Sequence, residues 1–258
     1  MKKNHIISQR LNNLLSNYSY FIFISPHLDD AIFSCANLLL ELKNKNVTII
    51  TVFTKATDNV PTTQARDFLK ASMSDNPVDI FNKRAIEDIN ATKFVGAKHV
   101  HLGFLDAAWR TVDEKPVYAN SKSQFSGKIA KKDIFLINQI KTKVLKTIPK
   151  RKRILLLAPL GIGGHADHAL VREVARKLPF PNIFWEDFPY SSGSKSKKTF
   201  ISKNNNFEPI IEIKSGKQSL RKIAIKKYKS QIKFLFPDNK IPIIKERYYI
   251  SKNDDISL

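Results

Sequence analysis

The sequence predicts an α/β fold, a mostly parallel β-sheet covered by helices on both faces. Three observations carry the prediction. Short apolar runs, several rich in β-branched residues, alternate with segments whose apolar residues recur at helical spacing, and a βαβα alternation marks a parallel sheet. One apolar run, Tyr20–Ser25, leads directly into Pro26-His27-Leu28-Asp29-Asp30. Another, Ile154-Leu155-Leu156-Leu157-Ala158, is followed shortly by His165-Ala166-Asp167-His168. Clusters so placed lie at the carboxyl edge of the strands, where an open sheet of Rossmann-like type binds its ligands.

The elements follow in order. Residues 20–25 read as a buried strand. Ala31 to Lys43 reads as a helix, with Asp29 or Asp30 near its N-cap and Leu38, Leu39, Leu40 and Leu42 as apolar surface. Val47 to Phe53 is a second strand. Residues 54–76 are polar and contain Pro61, which predicts a loop with some helix. Asp79 to Val95 carries Ile80, Ala85, Ile86, Ile89 and Phe94 at helical spacing, and Gly96 suits its C-terminal stop. His99 to Leu102 is a short third strand. Residues 103–127 form a long polar and aromatic segment with little periodicity, and such loops often carry function. Ile134 to Ile148 is a basic helix leading through Pro149–Arg153 into the strand at 154–158. Gly161-Ile162-Gly163-Gly164 predicts a flexible turn. A helix over 168–178 stops at Pro179, and Asn182 to Trp185 is a further strand. Ser191 to Lys198 is a basic, Ser/Gly-rich loop. A short strand at 210–213 and a basic helix over 219–234 follow. With no repeat and no long linker, residues 1–258 read as one domain whose C-terminal part, about 180–258, adds strands and a basic helix.

Composition narrows the chemistry. A single cysteine, Cys35, excludes an internal disulfide and a Cys-rich zinc site, so any metal must be held by His and carboxylate. The net charge of +21, from 44 basic and 23 acidic residues, raises the prospect of a polyanionic partner. Lysine dominates and is scattered, however, as on a solvated surface. The densest stretches, Lys141–Arg153 and Lys195–Lys198, read as solvated faces or as a docking face for an anionic carrier. They lack the aromatics that nucleic-acid modules interleave with their charge, so no specific nucleic acid is expected. The N-terminus, Met1-Lys2-Lys3-Asn4-His5, lacks the apolar core of a signal peptide. No stretch approaches about 18 consecutive apolar residues, so no transmembrane segment is expected. These features predict a cytoplasmic protein.

His27 and Asp30 lie three apart across a strand-to-helix turn and can face one ion, with His168 as a second imidazole. Two histidines and a carboxylate with an open position form the ligand arrangement of a catalytic zinc site. They are also the ligand set of non-haem iron oxygenases, which keeps Fe2+ beside the preferred Zn2+. Asp29 can serve as general base on a water there, and His165 can stabilise an oxyanion or protonate a leaving amine. Asp167 can orient a histidine. Each cluster has a plainer reading. Asp29-Asp30 can be an N-cap pair opposing the helix dipole, and His165–His168 a solvated loop. Their joint placement, each after a strand and before a helix, favours chemistry. The residues leave open a metal-dependent hydrolase, an iron enzyme, and a non-enzymatic binder of polyanions or sugar conjugates. The βαβ pattern speaks against the iron oxygenases, whose usual setting is all-β.

The two motifs resemble those of the PIG-L / LmbE-like family of metal-dependent N-acetylglucosaminyl deacetylases. That family carries Pro-His-x-Asp-Asp after its first strand and His-x-Asp-His after a later one. The resemblance implies that His27, Asp30 and His168 hold zinc and that Asp29 is the general base. It further implies that His165 stabilises the tetrahedral intermediate and Asp167 positions His165. Position 28, often proline in the family, is Leu28. Arg84-Ala85-Ile86-Glu87-Asp88 resembles the family's Arg-x-x-Glu helix and makes Arg84 a substrate-binding candidate. His101 to Arg110 resembles its substrate-reaching loop, with Asp106 as a sugar-hydroxyl contact and Arg110 as a further candidate. Trp109 and Tyr118 can add an aromatic wall. Trp185–Tyr190, Tyr228–Gln231 and Glu246–Tyr249 resemble other family segments. The implied reaction is removal of acetate from an N-acetylglucosamine-type conjugate. The implied partner is a small amino-sugar conjugate, anionic or carrier-linked.

Overall fold

The structure is a computed structural model that describes residues 12–13, 16–150, 152–192, 200, 206–213, 217–236, 238 and 240–252. The expectations placed on the N-terminal segment and on Lys195–Lys198 lie outside these residues. The strands are β1 (Tyr20–Ser25), β2 (Asn46–Lys55), β3 (Lys98–Leu105), β4 (Thr111–Val112), β5 (Lys115–Pro116), β6 (Ile154–Pro159), β7 (Asn182–Trp185), β8 (Phe207–Ile213) and β9 (Glu246–Ser251). The helices are α1 (Asp30–Glu41), α2 (Thr63–Ala71), α3 (Pro77–Phe94), α4 (Ser121–Gln124), α5 (Ile134–Thr147), α6 (Ala166–Arg176), α7 (Gln218–Ile225) and α8 (Lys229–Leu235). None of these helices is long and apolar enough to cross a membrane.

Seven strands form one sheet in the order β3-β2-β1-β6-β7-β9-β8. The first five are parallel, and β9 runs antiparallel to both β7 and β8. Along the parallel part, the chain winds outward from β1 through β2 to β3, then restarts at β6 on the other side of β1. A sheet whose winding reverses between two neighbours leaves a crevice at their carboxyl ends. Here that crevice lies between β1 and β6, the strands that lead into the two histidine clusters.

Both faces of the sheet are covered, which explains why its central strands read as continuous apolar runs. Phe21, Phe23, Val47, Ile49, Leu155 and Leu157 point to one face and pack with α1, the end of α3, α7 and α8. Ile22, Ile24, Ile50, Val52, Leu156 and Ala158 point to the other, against α5 and α6. The alternation along each strand builds two separate cores. Each fully buried Phe or Leu side chain contributes roughly 1.5–3 kcal/mol.

Three elements depart from expectation. The predicted helix over 219–234 is broken at 226–228 into α7 and α8. The break turns Tyr228 inward, where its hydroxyl donates to Asp88 at 2.7 Å, and lets Ser230 donate to Glu87 through both its backbone N–H and its hydroxyl. The aromatic residues of β9 insert between β7 and β8, although no strand was expected there. Residues 107–127 are not one loop. They form a short 3-10 turn at Ala107–Trp109, a β4–β5 hairpin turning through Asp113 and Glu114 at positive φ, and α4.

Glu246, at the start of β9, is buried under α1 and accepts from Asn37 N, Leu38 N and the Tyr248 hydroxyl. Burial pushes its pKa up to about 7 despite these bonds and the nearby Arg221. A carboxyl raised on folding binds more protons in the native state, so its contribution to stability falls as pH rises from the unfolded value toward 7. Urea unfolding at pH 5 and pH 8 is therefore expected to show a smaller loss of stability in Glu246→Gln than in the unmodified protein. The difference is on the order of 2–3 kcal/mol, and equal losses would remove Glu246 as the titrating group.

Candidate active site

The site grows from the end of β1. Ser25 Oγ accepts from Ala31 N at 3.1 Å and so caps α1, while the Asp29 side chain caps nothing. The hydroxyl takes over the capping duty that a plain N-cap pair would perform, and both carboxylates are released for other partners. Asp30 Oδ2 accepts from His27 N at 2.9 Å and lies 3.1 Å from His27 Nδ1 and 3.3 Å from His168 Nε2. Asp29 Oδ2 instead accepts from Arg84 Nη2 at 3.2 Å.

The second cluster arrives on the α6 N-terminus. His165 is its N-cap, and His165 Nδ1 accepts from Asp167 N at 3.1 Å. That bond puts the proton of the neutral ring on Nε2, which lies 2.9 Å from Gln124 Nε2, a donor facing a donor that a flip of the Gln124 amide relieves. The amide oxygen is the end of Gln124 that can pair with it. His168, one turn on, gives Nδ1 to Asp187 Oδ1 at 2.7 Å. The Gly161–Gly164 segment forms the expected turn, closed by Gly164 N donating to Gly161 O at 3.2 Å, and it cradles a carboxylate. Ile162 is fully buried, and Gly161 N and Ile162 N both donate to Asp187 Oδ2. A side chain on Gly164, at φ +74°, would meet Phe125 O at 2.5 Å, so only glycine fits.

His27, Asp30 and His168 are all buried, and their ligand atoms lie within 4.8 Å of one another. His168 Nε2 is buried without a hydrogen-bond partner, while Nδ1 is tied to a carboxylate. A metal-binding histidine has this arrangement, with the free nitrogen aimed by the bond the other makes. The residues therefore fit a divalent cation. The electrostatics agree. Burial would lower the His27 pKa, yet hydrogen bonds to Asp167 and Asp30 and the charge of Asp106 raise it well above the usual histidine value. Burial is likewise overcome at His168, which Asp30 and Asp187 push up to about 9. Asp30 is held well below the usual carboxylate range by the two histidines, despite burial. Protons on the two rings balance the carboxylates, and a divalent ion would take their place. Burial and the neighbouring His27 hold His165 well below the usual value, so this ring is neutral. Burial pushes Asp29 up to about 6 against the pull of Arg84.

A cavity of about 320 Å³ opens over these groups. His27, Asp29, Asp30, Arg84, Asp106 and His165 line it, and so do Phe68, Trp109, Phe125 and Tyr190. Arg84 lies under Phe68 and Phe81, its guanidinium carbon 5.3 and 5.4 Å from their ring centres. Asp106 spends Oδ1 on Ala108 N, and its Oδ2 lies 3.4 Å from His27 Nε2. Three expected roles are placed elsewhere. Arg110 does not line this cavity. It is buried behind it, 2.6 Å from Asp167 and 2.8 Å from Asp133, and donates to Leu105 O. The Asp167 carboxylate touches Arg110, His27 Nε2 and Ala107 N, and only its backbone N–H holds His165. Tyr118 packs under Arg110 and donates structure, not wall: its oxygen accepts from Ala130 N.

Asp187, Gln124 and the α2 wall escaped the sequence reading. Asp187 lies two residues beyond β7, the same kind of position past a parallel strand that marked His27. Asp187→Asn is expected to weaken metal binding by about 10–100-fold in a chelator-competition titration. Unchanged affinity would show that Asp187 does not orient His168 for the metal.

Comparison with known proteins gives consistent findings. A family model described as GlcNAc-PI de-N-acetylase, PIG-L, matches residues 22–178. The 2'-N-acetylparomamine deacetylase of Streptomyces fradiae is 27% identical over 176 residues, covering 66% of this chain and 57% of that protein. The protein of the same name from Niallia circulans is 28% identical over 186 residues, covering 66% of this chain and 67% of its own length. The match thus spans under two thirds of the Streptomyces relative. Among solved structures, a deacetylase–bog complex from teicoplanin biosynthesis superposes with a TM-score of 0.71 at 21% identity, covering 92% of this chain and all of that one. The zinc-inhibited form of teicoplanin deacetylase Orf2 gives 0.66 at 20% identity, with the same coverages. At these identities the structural likeness is one of fold. With its matched region holding both histidine motifs and more than half of its residues, the chain belongs to the GlcNAc-PI de-N-acetylase (PIG-L) family.

Proposed function

We propose that this protein is a metal-dependent N-deacetylase that hydrolyses the acetamide of an N-acetyl amino-sugar conjugate. One observation carries the reading: Asp29, freed from capping by Ser25, lies beside the His27–Asp30–His168 cluster and faces the same cavity as the neutral His165. The names of the two paromamine relatives support an N-acetyl amino sugar as the substrate class.

His27, Asp30 and His168 would hold the ion, which when bound supplies Lewis-acid polarisation and a more acidic water. Asp29 accepts a proton from the attacking water as its oxygen bonds to the amide carbon. Arg84 keeps that carboxylate turned toward the cavity. The developing oxyanion accepts from His165 Nε2–H, a donor whose tautomer is set by Asp167 N. Asp29 then returns its proton to the sugar nitrogen as the C–N bond breaks, releasing acetic acid and a free amine, which become acetate and ammonium once that acid proton passes to the amine. Arg110 acts through Asp167, which it charge-pairs beneath His27.

The test is amine release from N-acetylglucosamine conjugates by metal-stripped protein after add-back of zinc or ferrous iron. Both metals and a range of zinc concentrations are needed, because one structural neighbour is recorded in a zinc-inhibited form. Release that depends on metal supports the reading. Equal release by stripped and reloaded protein would overturn the metal dependence, and no release from any conjugate would overturn the deacetylase reading.

A further inference from the structure

The outer part of the same cavity carries a charge opposite to that of the whole chain. Resting on the deacetylase reading, we propose that the substrate is a cationic amino-sugar conjugate, with Asp67 as the group that receives an ammonium on its aglycone. The chain has 44 lysines and arginines and a net charge of +21. Among the described residues that line the cavity, the only one of these is Arg84, and its Nη2 is engaged by Asp29. Four aspartates line it: Asp29, Asp30, Asp67 and Asp106. The first, second and fourth are buried and committed, to Arg84, to the two histidines, and to Ala108 N with His27.

Asp67 differs. It is exposed, on the cavity side of α2, and no cation or N–H among the described residues pairs with it. Gln64, one turn before it, lines the cavity too and donates to Ser121 Oγ at 2.9 Å, which ties α2 to α4. Phe68, next to Asp67, packs edge-on against Trp109 with ring centres 5.7 Å apart. The reacting amide must lie at the inner end, between Asp29 and His165. The rest of the conjugate therefore projects past Phe68 and Trp109 toward Gln64, Asp67 and Ser121. An aromatic wall followed by an unpaired carboxylate suits a sugar ring followed by an ammonium. A phosphate there would face Asp67, and the described residues lining that end of the cavity include no lysine or arginine, so this face disfavours the anionic carrier expected from the sequence.

The experiment uses metal-loaded full-length protein and three N-acetylglucosaminides alike except for the aglycone terminus: ammonium, hydroxyl or phosphate. kcat/KM is expected to fall in that order, with the spread narrowing as salt is added. Asp67→Asn is expected to reduce the ammonium-to-hydroxyl ratio about three- to tenfold, and Asp67→Lys to invert it. Circular dichroism confirms that both variants fold, and the position is exposed. A ratio near one, a ratio unmoved in both variants, or a preference for phosphate would overturn the proposal while leaving the deacetylase reading in place. Release from none of the three would overturn both.

Discussion

Asp29→Ala is expected to cut turnover by about 10²–10⁴-fold while the protein keeps its metal. The side chain caps no helix and, among the described residues, makes no hydrogen bond to His27, Asp30 or His168, so its removal leaves that cluster in place. What it leaves behind is Arg84, 5% exposed and without its carboxylate. A buried guanidinium stripped of its partner destabilises, so a drop in activity with Ala alone is ambiguous. Asp29→Asn resolves this, because the amide oxygen still accepts from Arg84 but takes no proton from water. Both variants should retain the metal content of the parent by atomic emission, and both should lose turnover at every pH. Turnover close to the parent in the Asn variant would remove Asp29 as the base.

His168→Ala is expected to have the second large effect, loss of bound metal together with activity. His168 is nearly fully buried, with one nitrogen on Asp187 and the other facing Asp30. Removing it leaves Asp187 its two backbone donors at Gly161 and Ile162, so that carboxylate stays satisfied on one oxygen. The fold should therefore survive better than a buried charge deletion usually allows. Metal content measured after dialysis should fall well below one ion per chain. Full retention would exclude His168 as a ligand. Asp187→Asn, by contrast, should lose affinity without losing the site, and the pair of variants separates holding the metal from orienting its ligand.

Much of the site was legible along the chain because its parts are local. His27 and Asp30 are brought together by a single strand-to-helix turn, and His165 and His168 by one turn of α6. Each cluster lies between a strand and a helix, a joint placement that the sequence alone displays. Partners drawn from distant segments were not legible. Asp187 meets His168 only because β7 pairs beside β6, and Gln124 meets His165 only because α4 folds over Gly164. Arg110 illustrates the converse. Its place in the loop that resembles the family's substrate-reaching segment suggested a substrate contact, yet Asp133 and Asp167 draw it inward, where two carboxylates offset the burial of its charge.

The sequence by itself determined the α/β class, the parallel central strands, the two chemical clusters and the family they belong to. Periodicity and short-range spacing are properties of neighbouring residues, and they survive in a one-dimensional reading. Only the tertiary structure decided that β9 sits between β7 and β8, that α7 and α8 are separate helices and that Ser25 rather than Asp29 caps α1. It alone set Asp67 apart as a cavity-lining carboxylate without a partner among the described residues. In each case competition among distant groups for burial and hydrogen bonds made the choice. Tyr228 and Ser230 break a helix to reach Asp88 and Glu87, and a carboxylate is left free to act when another group has taken its structural work.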